Sequence, residues 1–441
     1  MIDFLNVFYK RDLKNLELNS IFPHSTVFSE EIVLELIKAL NSTHYFDKPK
    51  SLSKSSEEVN LSELDIKQSE AVNVQIGGHH LVKGVPGSGK SIAAVSRALH
   101  VVKNHPKWRV LLLCVNRKLA DQNKLTLHER CRGLRHFGLK EGYFRSTTLM
   151  DFLQTNYNKK VNIRNYQEKI DFFTEELLKS GVERQWDYII IDEYQDFSED
   201  HLEVIKQSAN LHNISINRKK RETENLFLVG DQLQQLDGSI GTHSWKDVGI
   251  HIQGRTIKLK SVYRNPSKII DLALNYILDS SKAMKKEVIS YYEGIDDLSK
   301  DNDTDAKIDF VSGEDLESIS KVKSWIHDFV SHDIKFNDIL IIHPDSKKTR
   351  DNVLTIFDEE IYNGVQIGMP SNIKGLESKI VIIWGIDQFK THFNTETDKI
   401  KKIYMSLTRA TKGILIHSHD DSNDDYQRIL RLTEGILFEA A

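Results

Sequence analysis

Gly84-Val85-Pro86-Gly87-Ser88-Gly89-Lys90-Ser91 is the stretch on which the fold turns. It fits the pattern GxxxxGK(S/T) and has the surroundings that pattern needs. Apolar Leu81 and Val82 precede it, and Ile92, Val95, Ala98, Leu99 and Val102 follow at helical spacing. The implied local structure is strand, phosphate loop, helix. Gly84, Gly87 and Gly89 let backbone N–H groups wrap phosphate oxygens, with Val85, Pro86 and Ser88 completing the loop. Lys90 places a cation near the β and γ phosphates, and Ser91 offers a hydroxyl to Mg²⁺.

Hydrolysis of a triphosphate needs two more groups: a second magnesium ligand and a residue that orients the attacking water. Tyr188-Ile189-Ile190-Ile191-Asp192-Glu193 supplies both, since a strand-like apolar run ends in two carboxylates. Asp192 suits the metal and Glu193 the water. Alone, the segment reads equally well as a strand closing in a solvated acidic turn. Beside the loop at 84–91, the catalytic reading is the stronger.

Further out, Arg109 to Val115 and Leu226 to Val229 are short β-rich runs separated by helical patterns. A second set follows Leu259: Ile308 to Val311, Ile339 to Ile342, Ile380 to Trp384 and Ile414 to His417. The alternation predicts an α/β fold of two units, each with a parallel sheet flanked by helices. Ser29, Glu30 and Glu31 start an amphipathic pattern over residues 29–40. The segment from Asp47 to Ser62 reads as a connector.

Composition narrows the function classes. The 441 residues hold 60 Lys+Arg and 64 Asp+Glu, a net charge of −4, so any nucleic-acid site must be a local patch. No apolar run reaches the roughly 18 residues of a membrane helix, and the first residues lack the apolar core of a secretory signal. Cys114 and Cys131 stand without close Cys or His companions, which indicates neither a disulfide framework nor a zinc site. A cytoplasmic setting is the expectation. His79 and His80, just before the loop, read as strand positions rather than metal ligands.

Asp192-Glu193-Tyr194-Gln195-Asp196 resembles the DExQD signature of superfamily 1 helicases of the UvrD/Rep type, and other stretches resemble that family's motifs in the same order. Gln68 resembles the upstream glutamine that pairs with the adenine edge. Val110 to Arg117 is similar to motif Ia, whose loop touches single-stranded DNA. Leu228-Val229-Gly230-Asp231-Gln232-Leu233-Gln234 resembles motif III, with Gln234 as γ-phosphate sensor. Leu259 to Pro266 resembles motif IV, which gives Tyr263 the base and Arg264 the γ-phosphate. Lys374-Gly375-Leu376-Glu377 resembles motif V, with Glu377 on the ribose. Tyr404 to Ala410 resembles motif VI, with Arg409 as second arginine finger.

The resemblance implies two RecA-like domains, at 62–258 and 259–441, after an accessory segment at 1–61. A small insertion is expected near 121–180, within Arg130 to Ser180. ATP and Mg²⁺ are the implied cofactors. The implied activity is ATP-driven translocation or unwinding on single-stranded DNA or DNA ends, with a separate nuclease as a candidate partner in repair or anti-phage defence. A regulatory ATPase that controls a partner protein is the alternative.

Two departures bear on that choice. The space between motifs IV and V leaves no room for the family's large second insertion. Gln235 to Ser239 lacks the aromatic residues that follow motif III in the family, and the next aromatic is Trp245. Base stacking is worth on the order of 1–3 kcal/mol per base, so the grip on DNA must come from elsewhere. Arg117, Lys118, Lys124, Arg130, Arg132, Arg135, Lys140 and Arg145, interleaved with Phe137, Tyr143 and Phe144, form either a backbone-binding surface or an ordinary solvated one.

Overall fold

The computed structural model describes residues 45–47, 61–64, 66–114, 117–136, 143–216, 219–234, 245–280, 299–300, 306–331, 334–344, 364–370, 373, 376–389 and 396–439. The helix expected over 29–40, residues 235–239, and Lys374 and Gly375 of the expected motif V lie outside the described residues.

Six strands build the first sheet: β1 (His79–Gly84), β2 (Arg109–Cys114), β3 (Tyr143–Thr148), β4 (Tyr188–Asp192), β5 (Leu226–Gly230) and β6 (Thr256–Leu259). Their spatial order is β6-β1-β5-β4-β2-β3, and every pairing is parallel. Parallel sheets are covered on both faces, so central strands read as unbroken apolar runs. All five residues of β4 are buried, and successive residues face opposite layers.

Tyr188 and Ile190 face a core with Ala94, Ala98 and Leu99 of helix α2 (Lys90–Asn104). Ile189 and Ile191 face a core with Phe152, Phe173 and Leu202, which come from α4 (Leu149–Tyr157), α5 (Tyr166–Ser180) and α6 (Glu199–Gln207). Full burial of each such side chain is worth roughly 1.5–3 kcal/mol. The remaining helices of this unit are α1 (Ile66–Asn73) and α3 (Arg117–His136).

The stretch expected as a small insertion holds the C-terminal part of α3, the edge strand β3, and α4 and α5, whose apolar faces enter the same core as β4. Local signals start these helices. Thr148 caps α4 by accepting from Asp151 N at 3.2 Å, and Asn165 caps α5. Ser198 and His201 exchange side-chain to backbone bonds in a capping box at the start of α6.

The second sheet comprises β7 (Lys307–Ser312), β8 (Ile339–Ile342), β9 (Gln366–Gly368), β10 (Ser378–Ile383) and β11 (Ala410–Ser418), in the order β7-β11-β10-β8-β9 and again wholly parallel. On one face Ile342, Val381, Ile383 and Ile414 pack with α7 (Ser267–Ser280), α9 (Glu396–Leu407) and α10 (Asp424–Glu439). On the other, Ile341, Ile382 and Leu415 pack with α8 (Asp315–Ser331). Both units therefore have the RecA-like arrangement, a parallel sheet between helical layers.

The units meet at the phosphate loop. Val85 of the loop and Leu233 belong to the apolar cluster of the second unit, together with Val262 and Leu407. The chain leaves the first sheet at Leu259, and Tyr263 N donates to Gly87 O at 3.1 Å. The histidines before the loop are core positions, His79 at 2% and His80 at 3% exposure. Cys114 is a buried free thiol.

Candidate nucleotide site

The loop between β1 and α2 has the geometry its glycines predict. Gly87 and Gly89 take φ of 76° and 81°, a region L side chains rarely enter. Space forbids a side chain as well, since a Cβ on Gly89 would collide with the Gln68 amide and one on Gly87 would come 2.6 Å from Asn265 Oδ1. Ser88 Oγ donates to Val85 O at 2.8 Å, which tightens the turn. Lys90 Nζ donates to Gly84 O and Val85 O, each at 3.1 Å, so the ammonium sits inside the ring of the loop. Burial pulls its pKa down, against the raising influence of Asp231, Glu193 and Asp192. Gly89 caps α2 without a side-chain bond, leaving the first N–H groups of the helix to an anion.

The carboxylates stand at the end of β4. Asp192 is fully buried and accepts from Glu193 N at 3.1 Å through Oδ1, while Oδ2 is buried without a hydrogen-bond partner. Burial first and the Glu193 charge second push its pKa up, and nearby Ser91 and Lys90 pull it down. Glu193 has φ 56°, a left-handed backbone that costs a non-glycine residue roughly 1–2 kcal/mol. Such strain is held only where surrounding bonds fix it. Here Gln195 Nε2 donates to Glu193 Oε2 at 2.7 Å, and Gln195 Oε1 accepts from Asp231 N at 3.1 Å.

From Asp231 the chain of bonds crosses to the second unit. Gln234 Nε2 donates to Asp231 Oδ2 at 2.9 Å, and Arg409 Nη2 donates to Gln234 Oε1 at 2.7 Å. A continuous path thus joins Glu193 to Arg409 through Gln195, Asp231 and Gln234. Arg409 is 2% exposed and donates further to Met405 O and Leu376 O. Burial, and after it the charge of Arg264, bring its pKa down to about 10. Two guanidinium groups brought together in a buried cleft favour an anion between them.

Arg264 Nη1 donates to Glu377 Oε2 at 2.7 Å, and Arg264 Nε to Asn265 Oδ1 at 3.2 Å. Tyr263 is 39% exposed at the rim. Gln68 is buried with its Nε2 donating to Ser88 O at 3.0 Å, so the amide is turned onto the phosphate loop. The fold thus gathers Gln68, Gly84 to Ser91, Asp192, Glu193, Gln234, Tyr263, Arg264, Glu377 and Arg409 around one cleft. Gln195, Asp231 and Asn265 join them; all three lie inside the motif stretches, where the resemblance assigns them no role. Their signal is their residue type, an amide or carboxylate next to each catalytic candidate.

This cleft fits a nucleoside triphosphate with a divalent cation. The free helix N-terminus, Lys90 and the arginine pair suit phosphate oxygens. The unpartnered Asp192 Oδ2 beside Ser91 is the donor set a magnesium ion takes, one carboxylate and one hydroxyl with the rest from water and phosphate.

A second concavity, of about 890 Å³, runs along β3 at the free edge of the first sheet. Arg117, Lys124, His128, Tyr143, Phe144, Arg145, Thr147 and Thr148 are among its lining residues. It combines the described part of the basic and aromatic surface expected from sequence; the side chains of Lys118, Arg130, Arg132, Arg135, Phe137 and Lys140 lie outside the described residues. Arg117 pairs with Asp151 at 2.6 Å while remaining largely exposed. Trp245 packs against Tyr194, ring centroids 5.3 Å apart, and lies partly buried against the core of the first unit.

Among the described residues, no helix is long and apolar enough to cross a membrane, and no group of three or more His, Cys, Asp or Glu side chains is placed to hold a metal ion. The family described as "AAA domain" matches residues 68–239, which cover the phosphate loop, both carboxylates and Gln234 and stop before β6. No curated protein matches the sequence. Among solved structures, "The structure of PRRSV helicase" is similar at 11% identity and a TM-score of 0.39, covering 85% of this chain and 62% of that one. This chain thus spans about three-fifths of the length of that solved structure. Residues 68–239 are thus similar in sequence to the AAA domain family, over the part of the chain that holds the phosphate loop.

Proposed function

We propose that this protein hydrolyses ATP in the cleft between its two RecA-like units and uses the cycle to move along single-stranded DNA. The observation that carries the reading is the bonded path from Glu193 to Arg409, which places a water-orienting carboxylate and an arginine from opposite units on one network. Lys90 and the N-terminus of α2 hold the β and γ phosphates. Asp192 and Ser91 would hold Mg²⁺, which when bound neutralises charge on the phosphate oxygens. Glu193 accepts the proton of the attacking water as its oxygen bonds the γ phosphorus and the bond to ADP breaks. Arg264 and Arg409 stabilise the charge on the transferring group.

Product release removes the anion that the arginines share with Lys90, which weakens the attraction across the cleft. The groove along β3 supplies cations and ring faces for a DNA strand, and the motif order supports single-stranded DNA as the track. Unwinding, and work with a separate nuclease in repair or defence, belong to the same proposal.

A second reading is a regulatory ATPase without unwinding. It is favoured by the stretch Gln235 to Ser239, which has no aromatic side chain to stack on a base. ATP hydrolysis measured with and without a single-stranded oligonucleotide separates the two. Stimulation by the oligonucleotide is the expected result, and an unstimulated ATPase that does not bind the oligonucleotide would leave the regulator.

A further inference from the structure

Asn265 follows Arg264 and is 1% exposed, and both ends of its side chain are bonded. Nδ2 donates to Thr408 O at 2.9 Å and to Ala410 O at 2.7 Å, the carbonyls on either side of Arg409. Oδ1 accepts from Arg264 Nε at 3.2 Å and faces Gly87 of the phosphate loop. One side chain therefore grips the backbone that carries one arginine and the guanidinium of the other.

Few residue types can do this. An amide presents two donors and an acceptor in one plane. Aspartate is its near-isostere but turns an acceptor toward two carbonyls, and alanine leaves both carbonyls and Arg264 Nε without this partner. The grip also has an electrostatic purpose, since Arg264 and Arg409 repel each other on the second unit's side of the cleft. Two like charges hold a fixed spacing only if something sets it against their repulsion.

We propose that Asn265 is a positioning residue that fixes Arg264 and Arg409 as one preorganised pair facing the phosphate loop. The inference rests on the ATP-hydrolase reading and adds to it that neither arginine acts independently. Cations already aligned on the transferring phosphoryl group need no reorganisation when its charge develops, so their alignment matters for the transition state more than for bound nucleotide.

The test uses the full chain with Asn265→Asp and Asn265→Ala, each alone and in an Arg409→Ala background. Three quantities are read: kcat and KM for ATP, the affinity for ADP, and the affinity for ADP with aluminium fluoride, a mimic of the transferring group. Expected is a fall in kcat of about a hundredfold, with KM and ADP affinity changed by less than about threefold and the aluminium fluoride complex lost. In the Arg409→Ala background the substitution should add less than about threefold, because the pair is already broken.

A merely structural role would weaken ADP and ADP with aluminium fluoride together and would overturn the proposal. Unchanged kcat in both variants would overturn it too. If the wild-type chain hydrolyses no ATP, the underlying reading falls and this one with it. Wild-type activity with unaffected variants removes only the role of Asn265.

Discussion

The nucleotide cleft, formed between the two units, and the groove along β3, at the edge of the first, are built in opposite ways. In the cleft, charged groups are buried and held by hydrogen bonds to backbone and amide groups: Lys90 at 7% exposure, Asp192 at 0%, Arg409 at 2%. In the groove, Arg117, Lys124 and Tyr143 are exposed, Arg117 with a surface pair to Asp151, and Arg145 contacts Thr155 Oγ1 at 3.3 Å. Burial strengthens electrostatic effects and fixes geometry, which suits one transition state. Exposure keeps charges adaptable and screened, which suits a polyanion held loosely enough to slide. Under the proposed function, chemistry and grip are separated on this molecule and can be broken separately.

Lys90→Ala is expected to have the largest effect on the cleft, lowering ATP hydrolysis at least about a hundredfold. Steady-state phosphate release measures it, and hydrolysis that survives would misplace the site. Glu193→Gln should lower kcat by about 10²–10⁴ while ATP stays bound, as expected when a general base is lost without charge on the phosphates being disturbed. Filter binding of labelled ATP beside phosphate release would show whether binding and hydrolysis separate in this way.

The groove should respond on a smaller scale. Replacing Lys124 and Arg145 together with glutamine removes two exposed cations, and oligonucleotide affinity should fall by about tenfold with a shallower salt dependence. Fluorescence anisotropy across a salt series reads both quantities. An unchanged slope would mean that DNA, if it binds, binds elsewhere.

The smallest effect lies at the capping box of α6, which contributes to neither region. Ser198 N donates to His201 Nδ1 at 3.0 Å, so that nitrogen must stay unprotonated, and burial lowers the His201 pKa to about 4. The unfolded imidazole titrates near its ordinary 6.5. The unfolded chain thus binds the proton first as pH falls, and stability present above pH 6.5 is lost as pH drops toward 4, by at most about 3 kcal/mol. His201→Gln keeps an N3 acceptor without titrating. Its melting temperature should depend less on pH between 6.5 and 4 than that of the wild type.

The same contrast explains what was legible in the sequence. The cleft could be read because each of its parts is a short local pattern: Gly84 to Ser91 behind an apolar strand, or Asp192 and Glu193 closing one. Central strands were legible too, since burial on both faces demands unbroken runs such as Ile189 to Ile191. Strand β3 was not, because an edge strand covered on one side carries Arg145, Ser146 and Thr147 and no such run. The pairing of Arg264 with Glu377 joins residues 113 positions apart, and that of Arg409 with Gln234 spans 175. No local pattern encodes such contacts; they arise only when the second sheet docks on the phosphate loop through Val85, Leu233 and Val262.

The claim that hydrolysis needs both units is tested most directly by Arg409→Ala, with ATP affinity and single-turnover hydrolysis measured on the same preparation. Retained binding with hydrolysis slowed by about a hundredfold or more is the predicted result, since Arg409 reaches the reaction from the second unit while Lys90 and the loop hold the nucleotide from the first. Hydrolysis at the wild-type rate would contradict it and leave the first unit as the whole enzyme.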